Sequence, residues 1–260
     1  KLDAAAGTYA EAARPESFDA LLDADLDGVV IATPNGCHAE QAIACLERGL
    51  PVFCQKPLAL DGAQTRAVVA AADRADRLLG VDYSYRHVRG MAELRQHVRA
   101  GRLGDLLAVD LTFHNAYGPD KAWCHDRALA GGGCLLDLGV HLVDLALWLQ
   151  DDLDLAVVDS ARYAQGRRLP PADPAIEDLA FATFRSSGGV VVRLACSWHA
   201  QSGCDAIIGA RLFGTRGGAV WRNVGGSFFD FELDLVHGPK AERLAGPPDE
   251  WGGRALGAWL

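Results

Sequence analysis

The apolar run Gly28-Val29-Val30-Ile31-Ala32-Thr33, bounded by Asp27 and Pro34, is too short for a helix and predicts a buried strand. Helical spacing follows from about Cys37 to Arg48 and is closed by Gly49. A second strand, Val52-Phe53-Cys54, comes at once. Asp61 and Gln64 have capping-box spacing ahead of an alanine-rich helix to about Asp76, and Leu78 to Tyr83 reads as a third strand. Strand and helix in strict alternation predict a parallel sheet with crossover helices.

The pattern then changes. An amphipathic helix carries Met91, Leu94 and Val98 on one face. Leu106 to Phe113 reads as a strand, Asn115 to Gly132 as a loop and Cys134 to Leu149 as a long apolar helix. Five β-rich runs follow: Leu155 to Tyr163, Asp178 to Arg185, Val190 to Trp198, Ile207 to Phe213 and Phe228 to Val236. Ser187-Gly188-Gly189 joins the second and third as a hairpin, and Gly214-Thr215-Arg216-Gly217-Gly218 reads as a turn, since no helix pattern follows it. The order predicts an antiparallel sheet carrying the long helix, with the domain boundary between Arg86 and Leu103. Pro247-Pro248 precedes a last helix that Leu260 interrupts, and Lys1 to Ala6 reads as the middle of a helix.

Composition narrows the classes. Of 260 residues, 50% are apolar and 23% charged, which is a globular profile. The net charge of -9 opposes nucleic-acid and anionic membrane partners. No apolar run in the sequence approaches the roughly 18 residues of a membrane span. The seven cysteines form no C-x-x-C pair and mostly sit in apolar runs, so they read as reduced thiols of a cytoplasmic protein.

Three constellations carry candidate chemistry. Thr33-Pro34-Asn35-Gly36-x-His38 stands at the C-terminal end of a parallel strand, where open sheets bind ligands; an ordinary capped turn gives the same residues. Gln55-Lys56-Pro57 stands at the end of the next strand. A lysine there suits polarisation of a hydroxyl or carbonyl oxygen, against the alternative of a solvated surface charge, and the Lys56-Pro57 bond is a candidate cis peptide. The third is Gly131 to Asp144, in which Asp137, His141 and Asp144 have i, i+4, i+7 spacing on one helix face. Three readings fit them: a general acid/base histidine with an orienting carboxylate, a satisfied core histidine, or the metal site of a hydrolase or isomerase. The missing H-E-x-x-H or cysteine spacing argues against metal. Tyr85, Trp123, His125 and His199 are candidates for pocket walls.

Taken in order, these motifs resemble the glucose-fructose oxidoreductase, inositol dehydrogenase and rhizopine catabolism family, Gfo/Idh/MocA. Members carry V-I-A-T-P-N-x-x-H, then E-K-P, then G-G-G-x-x-x-D-x-G-x-H-x-x-D. The resemblance implies an α/β protein: a Rossmann-type parallel-sheet domain over residues 1–90, here without its first βαβ unit, then an α+β domain over 91–260 with an open, mostly antiparallel sheet. It also implies NAD or NADP as cofactor, a sugar or polyol substrate, and a homodimer or homotetramer formed through the C-terminal sheet.

By the same resemblance Lys56 orients and polarises the reacting oxygen, Asp137 positions substrate and lysine, and His141 transfers the proton. Thr33, Pro34, Asn35, His38, Gln55, Lys56 and Arg86 fall at cofactor-lining positions, and no metal is implied. Gln55 replaces the usual glutamate and removes a negative charge there. No G-x-G-x-x-G precedes Asp27, so a segment of roughly 40 to 50 residues, a ~30-residue βαβ unit with connections, is expected upstream. A natural lack of that loop would favour a non-catalytic sugar- or nucleotide-binding regulator.

Overall fold

The structure, a computed structural model, describes residues 12–151 and 154–260. The helix expected at Lys1 to Ala6 lies outside them. After a short helix α1 (Phe18–Leu22), the first region runs β1 (Val29–Ile31), α2 (Asn35–Glu47), β2 (Val52–Cys54), α3 (Gly62–Ala75) and β3 (Leu79–Val81). The strands pair in parallel in the order β1-β2-β3, with Val30, Phe53 and Gly80 in register. The capping expected at Asp61 forms: its carboxylate accepts from Gln64 N at 2.8 Å, while Gln64 Oε1 accepts from Leu60 N at 3.2 Å. The strands are shorter than the apolar runs around them, so the flanking Thr33 and Asp82 lie in loops at the sheet's C-terminal edge.

The second region begins with α4 (Met91–Arg99) and β4 (Leu106–Asn115). The expected loop after β4 contains a 3-10 turn at Ala122–His125 and a single helical turn, α5 (Arg127–Ala130). A π-helical turn, Leu135–Gly139, then leads into α6 (Val140–Gln150). The strands β5 (Leu155–Ala164), β6 (Arg167–Leu169), β7 (Leu179–Ser186), β8 (Val191–Ser197), β9 (Ala206–Gly214), β10 (Gly218–Asn223), β11 (Phe231–His237) and β12 (Lys240–Ala245) complete one sheet with β4. Its order is β12-β11-β10-β9-β4-β8-β7-β5-β6, antiparallel at every pairing except β4 with β8. The 214–218 segment is the turn of the β9-β10 hairpin, as expected. The short strand β6 and the strands β10 and β12 were not expected. The start of β11 moves from Phe228 to Phe231 because Ser227 Oγ accepts from Phe229 N and Asp230 N and forms a turn there.

Helix α6 lies on one face of this sheet. Leu142, Leu145 and Leu149 pack with Val109, Leu111, Leu194 and Leu212 in a single core, each large aliphatic chain contributing about 1.5–3 kcal/mol. The stretch Arg127–Gln150 has mean hydropathy 1.5 and is long and apolar enough to cross a membrane by length and composition, which corrects the expectation that none would be. Its apolar character follows from this packing, with 50% of the apolar window buried.

The last helix, α7 (Arg254–Trp259), falls on the 91–260 side of the expected boundary but packs on the parallel sheet. The Trp259 ring lies 5.8 Å from Phe53, and side chains at Gly28 or Gly80 would collide with it at 2.9 and 2.7 Å.

Candidate active site

Lys56 follows β2, a strand buried at all three positions, and Gln55 N continues the ladder by donating to Ile31 O at 2.8 Å. The Lys56-Pro57 peptide is cis. The lysine side chain leaves the first region and meets the second: its Nζ donates to the Asp137 carbonyl at 2.6 Å and to Asp137 Oδ1 at 2.8 Å. Two of the ammonium's three donors are thereby engaged.

Asp137 owes its place to the wide turn that carries it. The turn is anchored by Glu177, 3% exposed, whose Oε1 accepts from Gly133 N (2.9 Å) and Leu135 N (3.2 Å) while its carbonyl accepts from Cys134 N (2.9 Å). This buried carboxylate satisfies donors at the helix start that would otherwise be orphaned. The fit is close enough that a Cβ on Gly133 would sit 1.8 Å from the Glu177 carbonyl oxygen. On the far side, Trp198 Nε1 donates to Asp137 Oδ2 at 3.1 Å. Sequence reasoning missed Glu177 and Trp198. A signal existed for each: a glycine run ahead of a helix can mark a close backbone approach, which Gly133 makes to Glu177, and Trp198 is in phase with the inward residues Val192, Leu194 and Cys196 of β8.

His141, near the start of α6, has its ring 5.0 Å from that of Tyr85 and 6.5 Å from Tyr83 and Phe113. Its Nδ1 is buried and has no hydrogen-bond partner. Burial, with the Lys56 charge adding to it, holds the imidazole pKa well below its ordinary value, so the ring is neutral. The carboxylate expected to orient this histidine does not do so. Asp137 turns to Lys56 and Trp198, while Asp144 accepts both Nε (2.7 Å) and Nη2 of Arg86. Among the described residues no group of three or more His, Cys, Asp and Glu side chains gathers as metal ligands.

Burial raises the Asp144 pKa against the opposing pull of Arg86, and burial with the Asp144 charge pushes the Tyr83 hydroxyl up to about 12. The Arg86 guanidinium is further held over the Tyr83 ring at 5.4 Å.

The remaining expected residues line the C-terminal edge of the parallel sheet. Thr33 is exposed there, with Oγ1 donating to Gln41 Oε1 at 2.7 Å, and Asn35 Nδ2 donates to the Ala130 carbonyl at 3.0 Å. Gln55 bridges Asp82, to which its Nε2 donates at 2.7 Å, and its neighbour Lys56 N. His38 is fully buried, with Nδ1 2.8 Å from the Pro57 carbonyl and Nε2 2.8 Å from the Thr33 carbonyl. It ties the two turns together from below, with both ring nitrogens against backbone. Among the candidate wall residues, His125 meets Trp198 edge-on at 5.9 Å and His199 Nδ1 accepts from Gly118 N at 3.3 Å.

Comparison with known proteins shows the family to which the chain belongs. A family model described as the GFO/IDH/MocA C-terminal domain matches residues 91–220, and one described as an oxidoreductase family with an NAD-binding Rossmann fold matches residues 3–83. A 1,5-anhydro-D-fructose reductase from Ensifer adhaerens is 32% identical over 205 residues, covering 78% of this chain and 59% of the relative. Inositol 2-dehydrogenase 2 from Saccharopolyspora erythraea is 32% identical over 205 residues, covering 78% and 57%. The chain thus spans less than two thirds of the length of these curated relatives. Levoglucosan dehydrogenase, solved in complex with NADH and levoglucosan, shares the fold, with a TM-score of 0.83 at 22% identity over 99% of this chain and 75% of that one. With half of its length under the C-terminal model and most of the rest under the NAD-binding one, the chain belongs to the Gfo/Idh/MocA family of oxidoreductases.

Proposed function

We propose that the protein is an oxidoreductase that uses NAD or NADP to interconvert a hydroxyl carbon of a sugar or polyol with its carbonyl. The observation that carries this reading is the Lys56–Asp137 pair joined across the two regions beside a histidine held neutral. The site fits a nicotinamide nucleotide: Thr33 and Pro34 stand along the strand ends where parallel sheets receive nucleotides, and the enclosed His141 Nδ1 finds no partner within the protein. When bound, the nicotinamide takes or returns the hydride.

The chain's own residues handle the proton and the oxygen. Lys56 donates its remaining N–H to the reacting oxygen and stabilises the charge that develops there. Asp137 holds the lysine from below. His141, neutral before reaction, takes the hydroxyl proton at a ring nitrogen and returns it in the reverse direction. The substrate class is carried over from the relatives named as a 1,5-anhydro-D-fructose reductase and an inositol 2-dehydrogenase.

The outer face of the nine-stranded sheet, with Phe181, Ile207 and Phe213 exposed, supports assembly into a homodimer or homotetramer. Seven free cysteines support a cytoplasmic setting. Fluorescence titration of the full-length protein with NADH and NADPH, followed by a turnover screen over sugars and polyols, tests the proposal. Saturable binding with turnover is the expected result; binding of neither nucleotide would leave the sugar-binding regulator as the reading.

A further inference from the structure

We infer that Trp198 is a positioning residue: by fixing the Asp137 carboxylate, its indole leaves Lys56 with one N–H free for the reacting oxygen. The inference rests on the oxidoreductase reading above. Lys56 has three donors, and Asp137 takes two of them through its carbonyl and Oδ1. Which donor stays free therefore depends on how the carboxylate is rotated. That rotation is soft, because the terminal torsion of an aspartate has a broad profile, and the Asp137 side chain is 37% exposed. A second anchor is needed, and the Trp198 Nε1 contact to Oδ2 supplies it. An indole N–H is suited to this because it only donates and cannot compete for the lysine's protons.

The backbone around Trp198 is arranged to present that N–H. Trp198 is 5% exposed, and its own amide donates to the Asp178 carbonyl at 2.7 Å. The next residue, His199, takes a left-handed conformation at φ 60°, which few non-glycine residues adopt without cost. Ala200 N then donates to the Asn115 carbonyl at 2.6 Å, so the chain is held on both sides of the turn. A phenyl ring would keep an aromatic group there, but it has no N–H to reach the carboxylate.

The test is a double-mutant cycle in the full-length protein. Trp198→Phe is expected to lower kcat about 10-fold, the usual weight of one hydrogen bond to a charged group, with KM for the nicotinamide nucleotide within about twofold. In an Asp137→Ala background the same substitution is expected to cost less than about twofold, because the partner is already gone. Equal losses in both backgrounds would mean that Trp198 only fills space, and would overturn the inference.

A second measurement does not depend on turnover or on a foldable Trp198 variant. The indole N–H resonance of Trp198, among the protein's six tryptophans, should move when Asp137 becomes alanine; a resonance that stays put overturns the inference. If the wild-type protein turns over no sugar or polyol with either nicotinamide, the oxidoreductase reading falls, while the resonance still decides whether Trp198 holds Asp137.

Discussion

The two sheets serve the site by different routes. The parallel sheet has three strands of three residues each, and it delivers polar groups from the loops that leave them: Thr33 after β1, Lys56 after β2, Arg86 after β3. The nine-stranded sheet offers little from its strands; Trp198 follows the end of β8. The sheet contributes through a helix laid on its inner face, and the segment that leads into that helix is locked by the buried Glu177. Short strands with open ends suit a loosely specified edge that a nucleotide completes. A helix pinned to a wide sheet suits side chains that must hold their geometry without a ligand. The Lys56–Asp137 pair joins the two modes, and with side-chain exposures of 17% and 37% it does more to fix position than to add stability.

This contrast can be broken first at its tightest point. Gly133→Ala drives a methyl group into the Glu177 backbone and is expected to cost roughly 3 kcal/mol or more of stability, read by chemical denaturation. A variant as stable as wild type would show that the helix start is not locked. Next, Lys56→Ala and His141→Ala remove one group from each region. Each is expected to lower turnover on the order of 10²-fold with the fold retained, and the double variant to be little worse than either alone, since the groups act as a unit. Full additivity would separate the two regions functionally.

A smaller effect concerns pH. The His141 pKa lies below the ordinary imidazole value of about 6.5, so the base stays neutral as pH falls through that value. Hydroxyl oxidation should show no histidine limb there, and a limb centred at or above about 6.5 would contradict the buried, lysine-flanked setting. Because the folded pKa is depressed, the stability this group contributes is present in full above its unfolded pKa and is lost progressively as pH falls from there through the lower, folded one. The smallest effect lies far from the chemistry. Asp76 ends α3 in a left-handed conformation at φ 51° and is exposed, so Asp76→Gly should raise stability by roughly 0.5 kcal/mol and leave turnover unchanged.

The sequence made Lys56, Asp137 and His141 legible because each sits in a short motif at a predictable element end. Its i, i+4, i+7 reading failed in a specific way. It assumed an unbroken α-helix, whereas Asp137 sits in a π-helical turn at Leu135–Gly139, and the two carboxylates pair with Lys56, Trp198 and Arg86 rather than with His141. Glu177 and Trp198 lie 40 or more residues from the turn they hold, where local periodicity carries no information. Strand β12 went unread because Lys240, Glu242 and Arg243 are exposed on an edge strand, where charge discourages further pairing and masks the alternation. Strand β10 hid behind the glycines of the turn before it.

Helix α7 has a consequence for how the molecule can be taken apart. Arg254 Nη1 donates to the His87 carbonyl at 3.0 Å, Asp249 accepts from Arg89 N at 2.7 Å, and Trp259 covers Phe53. A cut at residue 90 would therefore strip the parallel sheet of a covering layer that is encoded at the opposite end of the described chain. The two regions are distinct as architecture but not separable as polypeptide fragments, and an exchange of modules between relatives must carry residues 249–259 together with the first sheet to leave that layer in place.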